Sequence, residues 1–401
     1  MVVLLSESAS LTARETLTVL GMHGVQADVL GSRALTIGRF SRFTRRCILA
    51  PSPSRDPLGY LAVVRRLMAS GAYEAVLATH EQAWLFAAGR SLLPKDAPMA
   101  VASIEAFDRV QGKVDFARLL DELDVPQPRW WPAESHPSTG TYPHWVKASH
   151  GTAGRSVRRV ANAEQEREAI RELSAPDEDV MGQLPAPGQY GQVQALFDHG
   201  RLVAVRTSVQ VGYGAGGSAA ARLSVDHGEA REHAARVGGH LAWHGGLTLD
   251  YLHVDGHPQF IECNPRTVEP GNAAHAGVDF PALTIALSSG ATLPDEPVIG
   301  RAGVRTRSAM ALALGAAERH GTRAAVLGVL RDCALSRRDV GRGAEVLTPV
   351  RSDPLSGVPL AITVCRLLAR PASASEIARR AVDDYATSLQ SINMVRARSG
   401  I

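Results

Sequence analysis

The first hundred residues alternate short apolar runs with longer helical patterns, and this alternation most constrains the fold. Parallel strands need a long crossover, usually a helix, so the pattern predicts a parallel sheet with helices on its faces. No Gly-x-Gly-x-x-Gly follows the first run, so a dinucleotide fingerprint is missing and we expect a supporting or substrate-side domain. The expected strands span residues 2–5, 25–30, 47–50, 75–78 and 99–102, and the expected helices span residues 11–22 and 58–68.

Bulk composition excludes several classes of protein. A chain of 401 residues that is 45% hydrophobic is long enough for two or three structural units. Forty-three basic against forty acidic residues leave a formal charge of +3, which argues against nucleic acid as a partner. No apolar run approaches the roughly 18 residues of a membrane span, and the start lacks a signal-peptide pattern. Four scattered cysteines without a Cys-x-x-Cys pair favour a reduced, cytoplasmic location.

An amphipathic helix is expected between Phe107 and Leu123, because four apolar residues there follow the i, i+3, i+4, i+7 spacing. Proline at positions 126 and 128 ends it, which suggests a domain boundary. The segment after it predicts a strand at 144–147, a glycine-bearing loop, a helix at 164–173 and two strands flanking the turn at 197–201.

A hairpin further along carries the most informative polar residues. We expect strands at 247–254 and 259–263, joined by residues 255–258, which begin with the turn signal Asp-Gly. Asp250 on the first strand and Glu262 on the second are twelve residues apart. Asn264 and Arg266 follow Glu262 at alternate positions, so these three side chains share one face if the strand continues. Two carboxylates and an amide oxygen suit magnesium, and an arginine beside them suits a phosphoryl group. The alternative is that these carboxylates only decorate the solvated face of an edge hairpin.

This spacing resembles the metal-binding strand pair of the ATP-grasp superfamily, of the carboxylate-amine ligase type, as in biotin carboxylase and the carbamoyl phosphate synthetase large subunit. The resemblance runs from about Lys113 to about Leu287. It implies an α/β protein, with α+β nucleotide lobes: an N-terminal parallel-sheet domain (1–106), a two-lobed ATP-grasp domain (107–300) and a mostly helical extension (301–401). It also implies that Asp250, Glu262 and Asn264 bind Mg²⁺ or Mn²⁺.

The same resemblance assigns nucleotide contacts. A lysine before a helix, a lysine on a strand, a glycine loop and an adenine hinge occur here in the family's order, and they imply ATP contacts from Lys113, Lys147, Gly151, Gly154, Ser156, Gln183 and Gln189. The two glutamines stand where the family often has glutamate, so they offer an amide oxygen without charge. Arg206 and Arg266 are the expected catalytic cations for the γ-phosphate or an acyl phosphate.

The implied reaction is ATP-dependent coupling of a small carboxylate to an amine, through an acyl phosphate, to give an amide or peptide bond. Two alternatives stay open: a carboxylase or carbamoyl-transfer enzyme that uses bicarbonate, and a non-catalytic ATP-binding module, which the two glutamines favour. We expect no nucleic-acid or membrane partner. The segment after Gly300 is expected to close over the site or to form a homodimer contact.

Overall fold

The computed structural model describes residues 1–133, 140–151, 156–176, 178–337, 341–383 and 389–400 of the chain. Among these residues no helix combines the length and the apolar character that crossing a membrane requires.

The N-terminal region is a four-stranded parallel sheet in the order β3-β2-β1-β4, which confirms the α/β prediction. Side chains at the helix starts fix the ends of the crossovers, since Ser10 accepts from the Ala13 amide and Asp56 from the Gly59 amide. The strands are β1 (Val2–Leu5), β2 (Gln26–Gly31), β3 (Thr44–Leu49) and β4 (Ala75–Leu77); the helices are α1 (Leu11–Met22), α2 (Pro57–Ala69) and α3 (Gln82–Ala88).

Two expectations for this part of the chain were wrong in detail. The apolar run at 99–102 forms no strand; the Val76 amide donates to the Pro98 carbonyl, and the chain then leaves the sheet. The single helix expected between residues 107 and 123 is two helices, α4 (Ile104–Asp108) and α5 (Lys113–Glu122). Gly112 is the N-cap of α5, whose apolar face buries Phe116, Leu119 and Leu120 as predicted.

A small antiparallel sheet follows, in the order β5-β8-β6-β7. Asn162 caps the helix that packs against it, accepting from the Glu164 and Gln165 amides. This unit contains β5 (Trp130–Pro132), β6 (His144–Ala148), β7 (Val157–Val160), α6 (Ala163–Leu173) and β8 (Val180–Gln183).

The larger sheet has eight strands, in the order β13-β12-β9-β10-β11-β15-β16, with β14 paired to β10. Tyr251, Phe260 and Trp243 are fully buried in the core between this sheet and the N-terminal sheet. Its strands are β9 (Gln189–Asp198), β10 (Arg201–Tyr213), β11 (Ala219–Val225), β12 (Gly245–Val254), β13 (His257–Asn264), β14 (Val298–Ile299), β15 (Arg305–Arg307) and β16 (Ala344–Glu345). Three helices lie between its strands along the chain: α7 (Gly228–His240), α8 (Pro270–His275) and α9 (Phe280–Ser289).

The segment after Gly300 is mainly helical, and it also supplies β15 and β16 to the larger sheet. A fully buried ion pair between Arg14 of α1 and Asp353, 2.7 Å apart, ties this segment to the N-terminal unit. Its helices are α10 (Ala309–His320), α11 (Arg323–Ala334), α12 (Gly357–Ala369), α13 (Ala374–Asp383) and α14 (Leu389–Ser399).

Candidate active site

The hairpin β12–β13 brings the acidic residues together. Asp250 lies directly opposite Glu262 in the antiparallel register, and a bulge at Ile261 follows the pair. The strands are joined by only two residues, Asp255 and Gly256, both with positive φ, rather than by the four expected. Asn264 Nδ2 donates to Asp250 Oδ2 at 3.1 Å. Asp250, Glu262 and Asn264 therefore form one cluster.

Asp250 is a buried carboxyl beside a second carboxylate. Asp250 is only 6% exposed, and Gln192 Nε2 donates to its Oδ1 at 3.0 Å. Burial, and then the charge of Glu262, raises the pKa of Asp250 to about 7. A carboxyl in this position holds a proton or a cation rather than an isolated charge.

These residues open into a cleft of about 560 Å³, a volume typical of small-molecule sites. The N-terminal unit, the region of the small sheet, the larger sheet and the C-terminal helix α14 all contribute to its wall. The residues that line the cleft include His80, Glu81, Gln111, Lys113, His150, Gly151, Glu178, Tyr190, Asp250, Glu262, Asn264, Arg266 and Ile392.

The chain has only three lysines, and one of them, Lys113, lines this cleft. Lys113 is the first residue of α5, and its Nζ donates to the Gly151 carbonyl at 3.1 Å. Lys147 lies on β6, and its Nζ donates to Gln183 Oε1 at 2.6 Å. Burial lowers the pKa of Lys147 to about 8; the charge of Glu262 opposes this shift and that of Lys113 adds to it. Lys147 therefore lies within the electrostatic reach of the acidic hairpin.

The glycine loop is described only at its two ends. Gly151 has φ +133°, and a Cβ there would lie 2.2 Å from Ser156 Oγ, so a larger residue would disturb the loop. Ser156 Oγ is buried and has no hydrogen-bond partner among the described residues. Gly154, predicted to contact the nucleotide, lies outside those residues.

Five predicted residues do not line the cleft: Lys147, Ser156, Gln183, Gln189 and Arg206. Gln189 is exposed, and its Nε2 donates to the Gln210 carbonyl at 3.2 Å. Arg206 is 1% exposed and held by protein groups, with Nε donating to Ser224 Oγ at 2.9 Å and Nη1 to Gln194 Oε1 at 2.8 Å. Burial first, and the nearby charge of Arg222, lowers the pKa of Arg206 to about 9.

Arg266 connects the hairpin to the N-terminal unit. Its Nη2 lies 3.3 Å from His80 Nε2, and its Nη1 lies 4.0 Å from Glu81 Oε1. Burial, and then the charge of Arg266, keeps the pKa of His80 well below its usual value, so the ring is neutral and accepts this hydrogen bond. Arg266 Nε is buried and without a partner among the described residues, which leaves a donor beside the cleft.

The sequence reasoning missed a buried ion pair next to the site. Arg222 Nε and Nη2 donate to the two carboxylate oxygens of Glu269, at 2.5 and 3.0 Å, and the guanidinium lies 5.4 Å from the Tyr190 ring centroid. Burial lowers the pKa of Arg222, but the charge and hydrogen bonds of Glu269 outweigh it and raise that pKa above its usual value. An arginine within the apolar run of β11 was the available signal.

Glu178 was also missed. It lines the cleft, and its Oε1 accepts from the His150 amide at 2.6 Å, beside the glycine loop. It lies just before the stretch in which only Gln183 and Gln189 were expected to contact the nucleotide.

No protein-family model matches the sequence, and no curated protein sequence matches it either. Solved structures do match. A biotin carboxylase from Campylobacter jejuni is 17% identical, with a TM-score of 0.58 over 73% of this chain and 72% of that one. An N5-carboxyaminoimidazole ribonucleotide synthetase from Thermus thermophilus is 15% identical, with a TM-score of 0.56 over 76% and 81%.

An L-amino acid ligase from Bacillus licheniformis is 16% identical, with a TM-score of 0.53 over 72% of this chain and 73% of that one. All three similar structures are ATP-grasp proteins. The architecture described above, with an N-terminal parallel sheet, a large mixed sheet and a helical C-terminal segment, matches that of these structures. The chain therefore has the fold of the ATP-grasp superfamily.

Proposed function

We propose that this protein is an ATP-dependent carboxylate-amine ligase, which forms an amide or peptide bond through an acyl phosphate. The observation that carries the proposal is the convergence of Asp250, Glu262, Asn264, Arg266 and Lys113 on one cleft. Phosphoryl transfer needs positioned cations and charge compensation rather than a covalent protein nucleophile. A cleft with both acidic and basic groups fits that requirement.

The donor set fits a hard divalent cation. Asp250 and Glu262 face each other, and a bound cation would offset both their charges and the burial that raises the pKa of Asp250. The Asn264 amide directs its nitrogen to Asp250, so binding a cation through the amide oxygen requires the amide to turn over. Mg²⁺ or Mn²⁺ held by these residues would offset the charge of the nucleotide phosphates.

The remaining roles follow from charge and reach. Lys113 and Lys147 bind phosphate oxygens of ATP as point charges, and Gly151 lets the loop backbone approach them closely. Ser156 Oγ, which has no partner among the described residues, is a further donor for phosphate. Gln183 orients Lys147 through their hydrogen bond.

The acceptor side of the site rests on Arg266. Arg266 lines the cleft, its Nη2 lies 3.3 Å from His80 Nε2, and it supplies a cation for the acyl phosphate that forms on the carboxylate substrate. Arg206 acts indirectly, by holding Gln194 and Ser224 in place.

A carboxylase that uses bicarbonate is the second candidate, because the biotin carboxylase from Campylobacter jejuni matches as well as the L-amino acid ligase does. The two reactions differ in a measurable requirement. A carboxylase releases phosphate from ATP only when bicarbonate is present, whereas a ligase needs a carboxylate and an amine.

The test is phosphate release from ATP and Mg²⁺ with pools of amino acids, amino sugars and small carboxylic acids, followed by mass spectrometry of the product. We expect turnover without added bicarbonate and a product joined by an amide bond. Glu262→Ala combined with Asn264→Ala should abolish turnover, while Glu168→Ala, an exposed carboxylate on α6, should not change it. Unchanged magnesium-dependent turnover in the double variant would show that the proposed site is wrong.

A further inference from the structure

At one end of the larger sheet, the turn between β9 and β10 is hydrogen-bonded to the loop of residues 241–244, which precedes β12. The turn between β9 and β10 contains His199 and Gly200, with φ of +46° and +88°. The Gly200 amide donates to the Trp243 carbonyl at 2.7 Å. A Cβ on Gly200 would lie 3.3 Å from Ala242 Cα, so glycine permits this close approach. The result is that His244 lies beside the turn.

Three ligand-type side chains meet there. Asp198, His199 and His244 each offer one atom, and these atoms all lie within 4.8 Å of one another. The two imidazole rings are stacked, with centroids 4.1 Å apart and an interplanar angle of 20°. His244 Nδ1 is buried and makes no hydrogen bond among the described residues, and it lies 3.6 Å from Asp198 Oδ1.

That separation is too long for a hydrogen bond and suits two ligands of one ion. Tetrahedral zinc with bonds of about 2.0 to 2.2 Å separates its ligand atoms by about 3.3 to 3.6 Å. His199 is exposed, so its ring has room to turn toward the other two groups.

A neighbouring arginine orients the carboxylate. Arg201 Nη2 lies 3.5 Å from Asp198 Oδ2, and its Nη1 donates to the Pro294 carbonyl at 3.0 Å. Because this contact uses Oδ2, it leaves Oδ1 directed to His244. Outer contacts of this kind commonly fix the ligands of metal sites.

We propose that Asp198 Oδ1, His244 Nδ1 and a ring nitrogen of His199 bind one divalent transition-metal ion such as Zn²⁺, with water as the fourth ligand. Imidazole ligands suit such ions better than Mg²⁺. His244 precedes Asp250 by six residues, or about 20 Å along an extended strand. The site is therefore separate from the acidic hairpin, and its role is to clamp the turn to the loop.

The test is a calorimetric titration of the metal-stripped, full-length protein with ZnCl₂, in excess MgCl₂ to occupy the acidic hairpin. We expect one zinc ion per chain. Asp198→Asn and His244→Gln should each weaken binding by at least about tenfold. The pair His199→Asn and His244→Gln should remove it, with asparagine chosen because it tolerates positive φ. His320→Gln, an exposed histidine of α10, is the matched control and should bind as the wild type does.

Cobalt(II) provides a second readout, because a tetrahedral site gives visible absorption that should appear in the wild type and be absent from the double variant. Circular dichroism without metal checks that the variants fold. If a histidine variant does not fold, the size-conserving Asp198→Asn variant is used for the test instead. Zinc binding that is equal in the wild type and the double variant, or absent from the wild type, would overturn the proposal.

Discussion

Removing Asp353 should separate the C-terminal segment from the N-terminal unit. Its Oδ2 accepts from Arg14 Nη2 at 2.7 Å and from Ser41 Oγ at 2.6 Å, and its Oδ1 accepts from the Arg42 amide at 3.0 Å. The side chains of Arg14 and Asp353 are both 0% exposed. Asp353→Ala would thus leave a buried guanidinium charge and two further donors without their acceptor.

The expected cost follows from that burial. Removing one partner of a buried ion pair typically costs about 3 to 5 kcal/mol, because the remaining charge stays desolvated. Among the described residues, the Arg14 side chain then keeps one hydrogen bond, from Nη1 to Thr18 Oγ1 at 2.7 Å, which offsets little of this cost. Replacing both residues with apolar ones, as in Arg14→Met with Asp353→Leu, removes the charge together with its partner and should restore most of the loss.

The assay is urea unfolding followed by tryptophan fluorescence, first on Asp353→Ala and then on four proteins: the wild type, Arg14→Met, Asp353→Leu and the double variant. A lower midpoint at an unchanged slope reports a loss of stability. Together the four proteins form a double-mutant cycle, and we expect a coupling energy of at least about 1 kcal/mol. The reasoning fails if Asp353→Ala lowers the free energy of unfolding by less than about 1 kcal/mol, or if the two substitutions are additive.

Three further predictions address the site and its support. Lys147→Met should raise the Kd for ATP at least about tenfold, because a cation at the phosphates is lost. Lys95 is exposed, so Lys95→Met should leave the Kd unchanged, and equilibrium binding of labelled ATP measures both variants. Burial, and then a nearby carboxylate, raises the pKa of Glu15 to about 8; the folded protein therefore holds this proton more tightly, and stability should fall as pH rises from about 4.5 to about 8. Glu15→Gln should remove that slope, of about 1.4 kcal/mol per pH unit, in urea unfolding at several pH values. Gly188→Ala should cost about 1 to 3 kcal/mol in the same assay, since φ is +99° and a Cβ would lie 2.0 Å from a β12 carbonyl oxygen; a cost near zero would contradict this strain.

Local sequence patterns predicted the structural features that depend mainly on residues close together in the chain. The alternation of apolar runs and helical patterns predicted the parallel order of β1, β2 and β4, because strands separated by a helix return in the same direction. The two-residue periodicity of a strand, with the Asp-Gly turn, predicted a hairpin that carries Asp250 and Glu262 on its two strands, whereas their direct pairing depends on the two-residue turn and the bulge. The exact turn length and the bulge at Ile261 were not predicted, because they depend on backbone pairing, which the residue types indicate only weakly.

The sequence by itself determined the strand and helix order, the acidic hairpin, and the two lysines that accompany it. Only the tertiary structure decided the partners of buried charges: Arg222 with Glu269, Arg14 with Asp353, and Arg206 enclosed by Gln194 and Ser224. It also decided that Ile392 of α14 reaches the cleft. The physical reason is that a buried ion must find its partner in three dimensions, and residues 339 positions apart carry no shared local pattern.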